Sequence, residues 1–232
     1  MTDLMRFLSP TITIDSDHPA VVSFMQKTAG NEKNKRAVAV KLFNAVRDGI
    51  VYDLYAHIFY RFHYSASNTL RRKKGYCVSK ACLLCALGRA AGIPSRLGLA
   101  DIQNHGAVSD VVDMMGSNIF VYHGFVEFFL QGKWIKATPA FDASVCDKHN
   151  IALVTFDGYQ DAVFPSHDLE GNLYVEYLKY HGSYADLPLE EIIPAYQKVY
   201  GDERVDLWLQ LQKEDLKTRV DNIPGMDDIS EP

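Results

Sequence analysis

The chain has 232 residues, a formal net charge of -5, 47% apolar and 23% charged residues, which suits one large soluble domain and leaves no basic excess to hold the phosphates of a nucleic acid. No apolar run approaches the roughly 18 residues needed to span a bilayer. The first residues, with Asp3 and Arg6, do not form an export signal, and only four cysteines occur, so a reduced cytoplasmic protein is expected.

In chain order, His18-Pro19 after Asp17 predicts a capped helix through about Thr28, stopped by Gly30. Asn31 is placed to cap a second helix from about Glu32 to Asp48, whose Val38, Leu42, Ala45 and Val46 share one face before Gly49 ends it. Residues 53 to 74 are rich in aromatics (Tyr55, Phe59, Tyr60, Phe62, Tyr64) without a clear period and read as mostly loop with short helix. The run Arg71-Arg72-Lys73-Lys74 reads as a solvated loop face.

Gly75-Tyr76-Cys77 then opens an apolar run through Leu87 that stops at Gly92, with Pro94 just beyond. Gly75 breaks the preceding chain, and Ala, Leu and Lys from position 80 onward are strong helix formers, so the Cys77 thiol falls in the first helical turn. The helix dipole and unpaired N–H groups there favour thiolate, which makes Cys77 the candidate nucleophile and the thiol expected to react first. A lone cysteine at a helix start is more often inert than catalytic, so the reading depends on a base elsewhere.

Beyond this helix the pattern turns to strands: Arg96 to Asp101, Ile119 to Leu130, and Trp134 to about Thr138, with Gln131-Gly132 as a hairpin turn between the last two. Between the first two strands, Ile102 to Ser117 reads as a long loop carrying Asn104 and His105. His123 interrupts an otherwise almost wholly apolar strand, where an imidazole needs a partner to offset its burial, and it is the candidate base. With Leu130 facing Lys133, position 140 would face His123. Thr138 and Asp142 would then lie on the two diagonals, and Asp142 is the candidate orienting carboxylate. Pro139 is the residue that could interrupt this ladder. Further on come a segment from Leu173 to Tyr180, a helix after Asp186-Leu187-Pro188, a last helix from about Asp202 to Val220, and an acidic tail from Pro224 to Pro232 that reads as disordered.

Gly75-Tyr76-Cys77, the run Arg89 to Arg96, the strand His123 to Glu127 and the turn Gly132-Lys133-Trp134 resemble the transglutaminase-like superfamily, with the four segments in the family's order over roughly residues 50 to 142. The resemblance implies an α+β fold with a papain-like core, a cysteine-bearing central helix packed on an antiparallel sheet. Helical parts flank that core, residues 1–50 before it and 143–223 after it, in a single domain. It implies acyl chemistry on peptide or protein amides by a Cys77, His123 and aspartate triad. The sequence offers no obvious cluster of loop carboxylates to cage calcium and no long apolar run, so no cofactor, no metal and no membrane partner are expected. The family usually places its aspartate directly before a proline, and here Thr138 precedes Pro139, so Asp142 is the substitute. Tyr76 stands where the family often has tryptophan, and Lys136 to Asp142 and Asp101 to His105 resemble a bacterial branch. Tyr76, Asn104 and His105 are further candidates for substrate or oxyanion contacts. A catalytically silent binding module that keeps the fold is the alternative reading.

Cys77, Cys82, Cys85 and Cys146 also fit the C-x4-C-x2-C…C order of an iron–sulfur site, but Ala81, Leu83, Leu84 and Ala86 specify a buried helix where that cluster needs an irregular loop. Glu127 is expected to be structural, paired with Arg96 or a backbone amide.

Overall fold

A computed structural model describes residues 2–54 and 60–221; Tyr55, His57, Phe59 and the acidic tail from Pro224 lie outside the described residues. The chain opens with a short turn, α1 (Thr2–Met5), followed by α2 (Pro19–Ala29) and α3 (Lys35–Gly49). The cap of α2 falls on His18, its ring nitrogen accepting from Ala20 N–H, and Pro19 is the first helical residue as expected. The cap of α3 is Asn34 rather than Asn31, because Glu32 draws the N–H groups of Lys33 and Asn34 into a turn and delays the helix.

Over residues 51–54 and 60–75 the chain is more regular than its mixed aromatic pattern suggested. The strand β1 (Val51–Tyr52) leads to α4 (Arg61–Tyr64), α5 (Ala66–Arg72) and β2 (Lys74–Gly75), and β1 pairs with β2 in parallel. The register sets Tyr52 against Gly75, and an ion pair of 3.0 Å between Asp53 and Lys74 holds the two ends together.

Next comes α6 (Cys77–Ala90), buried on every side from Val78 to Arg89. A helix that is apolar all round has to be central, and α6 packs against α2, α3 and α5 on one side and against the sheet on the other. Leu83, Leu84 and Leu87 are wholly buried, each worth roughly 1.5–3 kcal/mol of burial. The buried polar side chains of α6 are Ser79, Arg89 and, most deeply, Lys80. The Lys80 ammonium donates to the carbonyls of Arg47 (3.0 Å) and Ile50 (2.6 Å), so it closes the C-terminal end of α3. Burial pulls that ammonium down to about 8, against the opposing charges of Asp142 and Asp48.

The sheet is built from β3 (Ser95–Asn104), β4 (Ile119–Leu130), β5 (Lys133–Ala137) and β6 (Val175–Tyr184), all antiparallel in the order β5-β4-β3-β6. Gln131 and Gly132 both take left-handed backbone angles (φ 52° and 85°), as a tight two-residue turn requires, and Leu130 faces Lys133 as expected. The stretch expected to be a long loop after residue 102 is shorter, because β3 continues to Asn104 and α7 (Ser109–Met115) follows. The short helix α8 (Ala143–Lys148) follows β5, and α9 (Leu189–Tyr200) and α10 (Asp202–Asp221) end the described fold. Glu127 is buried and structural, bound by Arg96, Tyr180 and Ser183. Among the described residues no helix is long and apolar enough to cross a membrane.

Candidate active site

Cys77 is the first residue of α6, and its thiol borders a cavity of about 350 Å³ whose wall also includes His123. Gly124 is what lets the helix start reach the strand. A Cβ added there would come within 2.8 Å of the Val78 Cα, a backbone atom that cannot step aside. Glycine beside His123 therefore sets the spacing between the start of α6 and β4.

The surroundings of His123 are aromatic and buried. His123 is 2% exposed, with the Phe164 ring 5.0 Å and the Tyr177 ring 6.2 Å from its own. Burial alone pulls the imidazole down to about 3, so it is neutral at physiological pH. Burial likewise pushes the Cys77 thiol up to about 11, although the backbone N–H groups of Gly124, Val78 and Cys77 itself pull the other way. The helix start was expected to favour thiolate. Desolvation outweighs it, and both the thiol and the imidazole are neutral at rest.

Asp142 is placed elsewhere than expected. The β4–β5 ladder ends at Val126 and Ala137, because Thr138 N–H turns to the Ala162 carbonyl and Pro139 has no N–H to continue the pairing. Released from the sheet, Asp142 caps α8, accepting from Ser144 N–H, Val145 N–H and the Ser144 hydroxyl. Among the described residues no carboxylate bonds to His123, and its Nε2 is sealed from solvent without a hydrogen bond. The Thr138 hydroxyl is sealed and without an ordinary hydrogen bond in the same way, and it lies beside the Tyr177 hydroxyl.

The three secondary candidates separate. Tyr76 is buried and its hydroxyl donates to Tyr64 (2.9 Å), so it belongs to a phenol cluster in the core. His105 pairs with Glu176 at 2.6 Å. Asn104 does border the cavity, with its Oδ1 holding Gly106 N–H. A residue not singled out from the sequence, Tyr52, borders the same cavity and packs edge-on against Phe141 at 4.6 Å. Its pairing with Gly75 brings it beside Cys77, and the signal that finds it is that long-range bridge rather than any local motif.

The other cysteines are free and buried, Cys82 and Cys85 within α6 and Cys146 in α8. Among the described residues no group of three His, Cys, Asp or Glu side chains is placed to hold a metal ion.

No curated protein matches the chain. Three solved structures resemble it in part. One is a candidate cysteine protease from Cytophaga hutchinsonii, with a TM-score of 0.49 and 16% identity over 79% of this chain and 55% of that one. A candidate protease from Parabacteroides distasonis has a TM-score of 0.36 and 18% identity over 55% of this chain and 26% of its own. The periplasmic domain of TgpA from Pseudomonas aeruginosa, bound to ethylmercury, has a TM-score of 0.35 and 18% identity over 52% of this chain and 43% of that one. The chain thus spans about half the length of the first of these and less of the others. The model of the transglutaminase-like superfamily matches residues 22–139, more than half of the chain, a span that holds Cys77, His123 and Thr138 and stops before Asp142. With the cysteine leading the central helix and the histidine on the adjoining antiparallel strand, the chain belongs to the transglutaminase-like superfamily.

Proposed function

We propose that the protein is a cysteine-dependent acyl-transfer enzyme acting on amide or isopeptide bonds, with Cys77 as nucleophile and His123 as base. The observation that carries this is the shared cavity: thiol and imidazole border one aromatic-walled space, and Gly124 holds their two elements at close approach. As Cys77 Sγ attacks the amide carbonyl, its proton passes to the imidazole. In this reading the Cys77 N–H and the Tyr52 hydroxyl receive the oxyanion. The imidazolium then protonates the departing amine as the carbon–nitrogen bond breaks, leaving a thioester on Cys77. Water or a second amine, deprotonated by His123, attacks that thioester and releases the thiol. The dyad works without the carboxylate that the resemblance implied, since Asp142 is engaged as a helix cap.

A specific observation favours a second reading. A neutral His123 without a carboxylate, beside a thiol pushed up to about 11, is also what a binding module that kept the fold and gave up the chemistry would have. An activated ester separates the two. With p-nitrophenyl acetate, a burst of nitrophenolate equal to the enzyme concentration and an acetyl group on the Cys77 peptide are expected, both absent in Cys77→Ser. No burst, or acetylation spread over surface lysines alone, would leave the binding module standing.

A further inference from the structure

We infer that Asp101 is a positioning residue for His123, acting through the backbone of Tyr122 and anchored by His181; this rests on His123 being the base. Tyr122, directly before His123, has a φ of 56° in the middle of β4, a left-handed conformation that a bulky aromatic residue adopts only when its surroundings impose it. It lies in a bulge. Pairing of β3 with β4 passes from Ala100–His123 to Ile102–Phe120, so Asp101 alone stands opposite Val121 and Tyr122. Pairing of β3 with β6 is irregular at the same level, passing from Leu99–Gly182 to Ala100–Tyr180, which leaves His181 out of the ladder.

These irregularities meet at one oxygen. Asp101 Oδ1 accepts from Tyr122 N–H at 3.0 Å and from His181 Nε2 at 2.7 Å, and the His181 ring stacks on the Tyr122 ring at 4.0 Å and 14°. The side chains of His181 and Asp101 are only 10% and 17% exposed, so water competes weakly for the bond. The bulge matters because strand residues alternate faces. Phe120 and His123 are three apart and would face opposite ways in a regular strand, yet both border the Cys77 cavity. The extra residue turns His123 to the cavity side, and Asp101 holds the backbone that makes the turn.

The test is a cycle of variants read by the pH 7 alkylation rate of Cys77 with iodoacetamide, quantified by peptide mass. Asp101→Ala is expected to slow the reaction by about 10- to 100-fold, the range for a misplaced reacting group. Asp101→Asn, which keeps an acceptor oxygen, should retain most of the rate. In a His123→Gln background Asp101→Ala should change nothing further. An equal loss in both backgrounds, or no loss in either, would overturn the positioning role and leave His123 as base. No effect of His123→Gln by itself would overturn the base, and the positioning role with it. If Asp101→Ala does not fold, His181→Phe, which keeps the stacked ring and removes the anchoring bond, enters the same cycle with the same expected pattern and a smaller loss.

Discussion

His123→Gln is expected to reduce the reaction of Cys77 with iodoacetamide at pH 7 by about 10²- to 10⁴-fold, the usual contribution of a positioned base. With the thiol at about 11, only about one molecule in 10⁴ carries a thiolate at pH 7, so neutral reactivity has to come from proton transfer to the imidazole during attack. The loss should therefore shrink as pH rises and vanish near pH 11, where the thiolate forms without help. A preformed thiolate–imidazolium pair would behave differently, holding a flat rate from about pH 5 to 9. A flat profile in the unaltered protein, or equal rates for the two proteins at pH 7, would remove His123 from the mechanism. Thr138→Asp should act in the opposite direction. The His123 ring lies 6.2 Å from that of Tyr177, whose hydroxyl meets the Thr138 hydroxyl, so a carboxylate at position 138 is expected to support the imidazolium and raise the pH 7 rate.

The parts of this arrangement that were legible in the sequence are those written in local patterns. Cys77 could be placed in the first turn of a helix because Gly75 and the run from Ala81 to Leu87 mark a break followed by strong helix formers. His123 stood out as an imidazole within an apolar strand, whereas Gly124 after it went unread, although a glycine inside a strand marks a close backbone approach. The hairpin register was correct from Leu130–Lys133 to Val126–Ala137. It failed beyond, where the backbone of Thr138 leaves β4 for Ala162, a partner remote in the chain. Asp142 with Ser144 two residues on also has the form of a helix cap, a local signal that competed with the diagonal and won. Tyr52, Phe164, Tyr177 and His181 reach the site from separate segments through long-range pairing, and no local period announces them. The thiolate expectation erred for a related reason: a helix N-terminus is visible in sequence, whereas the depth at which the fold buries it is not.

Acid should expose the cost of keeping His123 neutral. The imidazole sits at about 3 in the fold and near 6.5 in the unfolded chain, so between those values the unfolded state binds the extra proton. Stability therefore rises with pH through this window, and it is lost as pH falls from about 6.5 towards about 3. The interval corresponds to at most about 5 kcal/mol from this one group, a large share of the stability of a typical domain. His123→Phe places another ring among Phe125, Phe164 and Tyr177 and has no proton to bind. Urea unfolding at pH 7, 6, 5 and 4.5 should show the unaltered protein losing stability more steeply than the variant, with the gap widening at each step. Carboxylates held low in the fold, such as Asp142 under its Ser144 and Val145 bonds, also destabilise the fold in acid, but they do so equally in both proteins and cancel in the comparison. Parallel stability curves would mean that His123 takes up its proton in the fold as readily as in the unfolded chain. In the proposed mechanism the same desolvation governs catalysis, since an imidazolium formed during attack is as costly as one forced by acid. Only the oxyanion and the departing amine are present to offset that cost, and both exist only while substrate fills the cavity.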